Sequence, residues 1–178
     1  VKMVVKNNPI PKVKEGSVLI KVNACAICGS DLRIFNDGNP RINPPRIIGH
    51  EISGKIVAIG RGVNKYKVGD LISTGADIPC GKCEHCKTER EHLCSNRIIL
   101  GMSKPIKKQG GFAEYVSIPD KNIYELPKKL HINEAPIAEP TAVALHAVNL
   151  GEKELFNPIN KTKALVIGGG AIGLLCGL

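Results

Sequence analysis

The sequence predicts a mainly β fold, a small barrel or folded sheet with short helices, followed by the first strand and helix start of an α/β domain. Three observations predict it. Short β-branched runs alternate with Gly turns from Ser17 to Leu126, four cysteines fall within the fifteen residues Cys80 to Cys94, and the chain closes on a glycine-rich strand-to-helix turn. A length of 178 residues accommodates one ordinary domain plus a piece of another. We place the first domain at residues 1–150, and a linker with an opening βα unit at 151–178. Hydrophobic residues make up 43% of the chain but aromatics only 3%, with no Trp, so the core must be built from Val, Ile, Leu and Ala.

Residues 1–16 are polar and rich in Lys and Pro, with Pro9 and Pro11 reading as an extended connector. Glu15-Gly16 is a turn signal, and Ser17–Val22 reads as a strand. Asp37-Gly38-Asn39-Pro40 breaks whatever helix starts near Cys28. After Pro44-Pro45, Ile52, Ile56, Val57 and Ile59 supply the apolar residues of a second strand, turned by Gly60-Arg61-Gly62. Val68–Ile72 reads as a tight turn into a third strand, Lys108–Pro119 as a Gly-led strand, and Asn122–Leu126 as a short one. Ile132–Pro136 begins helical text. Thr141–Asn149 is Ala-rich and predicts a helix with Pro140 in its first turn and Gly151 just beyond its end. His146 lies in that helix and reads as a packed residue.

Gly49-His50-Glu51 begins the second strand. A lone His is most often structural, but this one has Cys28 upstream and Glu139 downstream, so His50 reads as a metal ligand. Cys25 and Cys28 form a CxxC pair. A thioredoxin-like redox pair requires a long following helix, which Asp37–Pro40 forbids. A zinc knuckle requires a second close pair, and the later block already has its own four thiols. Cys28 alone is therefore taken as a ligand, with Cys25 a small buried residue. Ser30 could pass a proton from a bound alcohol, and Asp31 could hold the outer nitrogen of a metal-bound His. A helix N-cap explains Ser30-Asp31 equally well. Glu139 sits at a helix N-terminus, where a carboxylate is stabilised in any case.

Cys80, Cys83, Cys86 and Cys94 have the spacing C-x2-C-x2-C-x7-C. Four thiolates suit tetrahedral zinc in a closed, structural site. A ferredoxin-type iron–sulfur cluster needs a shorter last gap followed by Pro, whereas Ser95 follows Cys94. His85 and His92 are spare once the thiols are counted and read as surface residues. Seven cysteines is an odd number, and no secretion signal precedes them, which favours metal over disulfides.

The formal net charge is +9, with basic clusters at Lys104, Lys107 and Lys108 and at Lys128-Lys129. A nucleic-acid binder would interleave aromatics with them, and these are missing. No apolar run is long enough to span a bilayer and no signal peptide opens the chain, so neither nucleic acid nor membrane is an expected partner, and a cytoplasmic location is expected. Lys163–Cys176 contains a buried-type strand running into Gly168-Gly169-Gly170-Ala171-Ile172-Gly173 and a helix start. That G-x-G-x-x-G, with its strand and helix, fits a dinucleotide pyrophosphate against backbone N–H groups.

Taken together, these residues resemble the zinc-containing medium-chain dehydrogenases, the alcohol, sorbitol and threonine dehydrogenase family. Gly49-His50-Glu51-x2-Gly54-x5-Gly60-x2-Val63 matches that family's zinc motif at every fixed position. Cys28-Gly29-Ser30-Asp31, the cysteine block, Gly110-Gly111-Phe112-Ala113-Glu114-Tyr115 and the dinucleotide glycines occur in the family's order. The resemblance implies a GroES-like catalytic domain lacking its first strand, then the opening of a Rossmann domain, about half of the family's architecture. It implies a catalytic zinc held by Cys28, His50 and a carboxylate, Glu51 or Glu139, which either exchange or act with one through water. Cys80, Cys83, Cys86 and Cys94 would hold a structural zinc. NAD or NADP would lie on Gly168, Gly170, Ala171, Ile172 and Gly173. Glu139-Pro140 stands where the alcohol dehydrogenase arrangement has its second Cys, which points to polyols, secondary alcohols or threonine-like substrates. Arg33 stands where many relatives carry a His, leaving the outer end of the proton path open. The expected activity is hydride transfer from such an alcohol to NAD(P), by a homodimer or homotetramer when full length, with the fragment inactive alone. A zinc-ribbon nucleic-acid module and a zinc-free quinone-reductase-like protein are the alternatives.

Overall fold

The computed structural model describes residues 2–40, 42, 44–103 and 109–178. The cluster Lys104, Lys107 and Lys108 therefore lies outside the described residues. The chain forms two compact units, residues 1–136 and 137–178.

The first unit is built on a five-stranded antiparallel sheet. Its strands are β1 (Ser17–Ala26), β2 (Glu51–Ile59), β3 (Leu71–Thr74), β6 (Tyr115–Pro119) and β7 (Ile123–Glu125), in the order β6-β1-β2-β3-β7. The two strands that begin and end the chemical motifs, β1 and β2, are adjacent, with Ala26 opposite Glu51. Two further short strands, β4 (Asp77–Ile78) and β5 (Ile98–Ile99), pair at the root of the cysteine block. Between them lies the short helix α2 (Glu84–Lys87).

The β-branched residues do what their pattern requires. Val18, Ile20, Ile52, Ile56, Ile72, Val116, Ile118 and Ile123 form one buried cluster with Val63, Tyr66, Ile78 and Leu100. Tyr66 reaches it without stranding its hydroxyl, which donates to the Ile123 carbonyl at 2.6 Å. A second cluster of Ile34, Ile42 and Ile48, flanked by Met102 and Phe112, underlies helix α1 (Gly29–Asp37). Gly38, at φ 73°, ends that helix as the sequence requires.

Several expectations need correction. β1 runs four residues past Val22, carrying the chain up to Cys28. The segment read as a strand over Lys108–Pro119 is strand only from Tyr115. Residues 109–112 instead bond across to residues 47–49, through Gly110 N–H to Ile47 O, Gly111 N–H to Gly49 O and Phe112 N–H to Ile48 O, each at 2.9 Å.

In the second unit, helix α3 spans Ala138–Glu152 and α4 spans Ala171–Cys176, and the two pack together. Gly151 lies inside α3, not beyond it, and His146 is exposed where packing was expected. The helix buries a narrow stripe, Pro140 and Ala144. Residues 163–168 form no strand: a parallel strand bonds to a neighbouring strand, and among the described residues no strand pairs with this segment. The glycine turn itself is as expected: a Cβ on Gly173 would lie 1.9 Å from the Gly168 carbonyl oxygen, so only Gly lets the turn close. Among the described residues, no helix is long and apolar enough to cross a membrane.

Candidate metal centres

Two groups of metal-type side chains form among the described residues, each with its ligand atoms within 4.8 Å of one another. One is Cys80, Cys83, Cys86 and Cys94. The other is Cys28, His50 and Glu51.

The four-thiol group is assembled by local structure. Cys83 is the N-cap of α2 and Cys86 lies within it, so one turn of helix brings two sulfurs to 3.5 Å. Cys94 follows a 3₁₀ turn over Glu91–Leu93 and reaches 3.8 Å from Cys83, while Cys80 lies 3.9 Å from Cys86. Zn–S bonds of about 2.3 Å at tetrahedral angles put sulfurs about 3.8 Å apart. A disulfide would need about 2.05 Å. The sulfur spacing therefore fits one tetrahedral metal and no disulfide.

Electrostatics agree. The backbone N–H groups of Lys82 and Cys83 bring the Cys80 thiol down to about 6. That of Cys86 lowers Cys83. Partial desolvation, reinforced by the neighbouring thiols of Cys83 and Cys94, pushes Cys86 up to about 12. The lobe thus contains preformed anion-stabilising donors beside a thiol that only a cation would ionise at neutral pH. Its root is anchored by Asn122, whose amide donates to Asp77 O at 2.6 Å, by Lys121 Nζ to Pro79 O at 3.2 Å, and by the Arg97–Asp77 pair at 3.6 Å. Reading the sequence missed these anchors; they sit in different segments and no local spacing marks them. His92 is exposed as expected, but His85 is half-buried and its Nδ1 is enclosed with no hydrogen-bond partner among the described residues.

The second group lies where β1 and β2 pair. His50 and Glu51 are both 6% exposed, and Cys28 caps α1 just beyond the end of β1. Gly49 makes the approach possible. Its φ is 94°, and a Cβ there would lie 2.7 Å from the Phe112 ring and 2.9 Å from Cys25 Sγ.

Asp31, 3% exposed, occupies the third position of α1 and accepts the Cys28 N–H at 3.0 Å. The N-cap is therefore Cys28, with Asp31 closing the turn from inside; Ser30 is not the cap. The other Asp31 oxygen lies 3.9 Å from His50 Nδ1, both atoms buried and neither with a hydrogen-bond partner among the described residues. That arrangement faces the ring's Nδ1 toward the carboxylate.

Burial pushes the Glu51 carboxyl up, an effect that His50 and a hydrogen bond with Cys28 oppose and Asp31 reinforces. A half-buried thiol beside a buried imidazole and two buried carboxylates is an arrangement that a divalent cation would stabilise. Cys25 is half-buried behind it, its thiol pushed up to about 12 by burial, then by Asp31 and Glu51. It is absent from the ligand group, in keeping with its expected packing role. Arg33 points along the exposed side of α1. Glu139 lies in the first turn of α3, as expected, in the other compact unit.

Residues 14–128 match the family profile described as the alcohol dehydrogenase GroES-like domain. The L-threonine 3-dehydrogenase of Caldanaerobacter subterraneus subsp. tengcongensis is 41% identical over 169 residues, a match covering 93% of this chain and 46% of that protein. Among solved structures, galactitol-1-phosphate dehydrogenase from Escherichia coli superposes with a TM-score of 0.84 at 32% identity, covering 96% of this chain and 47% of that one. An alcohol dehydrogenase from the same species, complexed with NADH, superposes with a TM-score of 0.81 at 34% identity, covering 95% and 47%. The chain thus spans about half the length of the relatives it matches. The chain belongs to the zinc-containing medium-chain dehydrogenase family, and its first unit is that family's GroES-like domain.

Proposed function

We propose that this chain is the catalytic part of a zinc- and NAD(P)-dependent dehydrogenase acting on a secondary alcohol, a polyol or a threonine-like substrate. The observation that carries this reading is the convergence of Cys28, His50 and Glu51 within 4.8 Å, with Asp31 behind the imidazole, beside a separate four-thiol lobe. A closed four-ligand site and a three-ligand site with room for substrate is the division of labour between structural and catalytic zinc.

Cys28, His50 and one carboxylate would hold the catalytic metal. Glu51 is in place within the first unit, and Glu139 is the alternative on α3. Zinc, when bound, supplies Lewis-acid polarisation of the substrate hydroxyl and so lowers its pKa. Asp31 fixes the orientation of His50 through Nδ1. The Ser30 hydroxyl takes the alcohol proton and passes it outward. A dinucleotide, when bound, would supply the acceptor for the hydride of the carbinol carbon, converting the alcohol overall to a ketone or aldehyde. Gly168, Gly170, Ala171, Ile172 and Gly173 would receive its pyrophosphate. By function, residues 1–150 form the catalytic domain and 151–178 open the dinucleotide domain, although α3 groups structurally with α4. The 178-residue piece alone is inactive on this reading, and the full-length protein is a homodimer or homotetramer.

The test is oxidation of sorbitol, 2-butanol and L-threonine by the full-length, zinc-loaded protein with NAD or NADP. NAD(P)H should form with at least one substrate and be abolished in Cys28→Ala. No turnover with any pairing would overturn the reading.

A further inference from the structure

Met102 comes from a loop 72 residues after Ser30, yet its Sδ lies 3.9 Å from the Ser30 hydroxyl, within reach of an O–H···S contact. The loop is held there deliberately. The Arg46 guanidinium donates to the carbonyls on both sides of Met102, from Nε to Gly101 O at 3.2 Å and from Nη2 to Ser103 O at 2.6 Å. Ser103 Oγ in turn accepts the Ile99 N–H at 2.7 Å. Burial lowers the Arg46 pKa. The Met102 side chain also packs against Ile34, Ile42 and Ile48, which keeps competing polar groups away from that side of the loop.

We infer that Met102 is a positioning residue for the Ser30 hydroxyl. This rests on Ser30 carrying the alcohol proton. A relaying hydroxyl must accept on one side and release on the other, so its own proton needs a resting direction that does not hold it. A carbonyl or carboxylate there would trap the proton, and a purely aliphatic neighbour would leave the rotor unaimed. A thioether is a weak acceptor and satisfies both requirements. The Arg46 clamp, by fixing Gly101 and Ser103, holds the sulfur at the right place.

Two experiments test this. The chain has two methionines, Met3 on the exposed N-terminal segment and Met102, so methyl-13C-methionine labelling gives two assignable NMR signals. Ser30→Ala should shift the Met102 methyl and leave that of Met3 in place; an unmoved Met102 signal would overturn the assignment. In the full-length, zinc-loaded protein, Met102→Gln, which offers a strong acceptor, should lower kcat by about tenfold, the worth of one neutral hydrogen bond, with KM unchanged. Met102→Leu should lower kcat by less, again without moving KM. Equal effects of the two substitutions, or losses confined to thermal stability, would reduce Met102 to packing and overturn its role. If Ser30→Ala itself leaves kcat unchanged, the proton path through Ser30 falls and the role of Met102 falls with it, while the methyl shift still reports the contact.

Discussion

Asp31 does two jobs with one carboxylate. One oxygen closes the first turn of α1 on the Cys28 N–H and so sets the direction of the Cys28 side chain; the other faces His50 Nδ1. Asp31→Asn should therefore weaken metal at the Cys28–His50–Glu51 site by roughly 10- to 100-fold, the usual cost of losing such a partner. Competition with a chromophoric chelator would measure it, and metal bound at the four-thiol lobe should be unaffected. Cys25 makes a second prediction. Its thiol is raised from 9.0 to about 12, so the unfolded chain loses this proton before the folded chain does. Stability from this group is complete below pH 9.0 and is lost as pH rises from there toward about 12. Urea midpoints should fall across that window, and Cys25→Ala should show a shallower fall than the unsubstituted chain. Identical slopes would contradict a half-buried thiol held neutral.

At the scale of elements, the cysteine lobe is a loop with little core of its own. α2 and the 3₁₀ turn at Glu91–Leu93 bury no residue, and of the four thiols only Cys94 is buried. Zinc on the four thiols, as proposed, would supply the cohesion that apolar burial does not. Stripping zinc with a chelator should raise amide exchange across residues 81–97 by orders of magnitude, while β1, β2 and β6 remain protected by their ladders. Protection of the lobe that survives metal removal would contradict this.

The lobe was readable from the chain because its ligands sit close in sequence, and helix and 3₁₀ geometry convert those spacings directly into distances. His50, Glu51 and Cys28 were readable because they flank paired strands in a dense motif. What was hidden depends on contacts across the fold. Met102 meets Ser30 and Arg46 clamps its loop through carbonyls, which any sequence provides. Ser53 and Ser73 spend buried hydroxyls on the carbonyls of Ile132 and Ala135. The exposure of His146 escaped because an Ala-rich helix looks apolar on every side, so its sequence does not say which stripe is buried.

For the whole molecule, the sheet and the lobe divide the chemistry between them. The sheet brings β1 and β2 together so that Cys28, from one segment, meets His50 and Glu51, from another, within 4.8 Å. The lobe hangs from Asp77 and Asn122 and gathers the four thiols of Cys80, Cys83, Cys86 and Cys94. A zinc-ribbon nucleic-acid module would need only the lobe and leaves the buried Cys28–His50–Glu51 group without a purpose. The account therefore stands on the presence of two independent zinc sites in this chain. Metal stoichiometry of the purified chain, beside Cys28→Ala and Cys83→Ala, measures that most directly. Two zincs per chain, with one lost in each variant, is the predicted result; a count that Cys28→Ala leaves unchanged would contradict it.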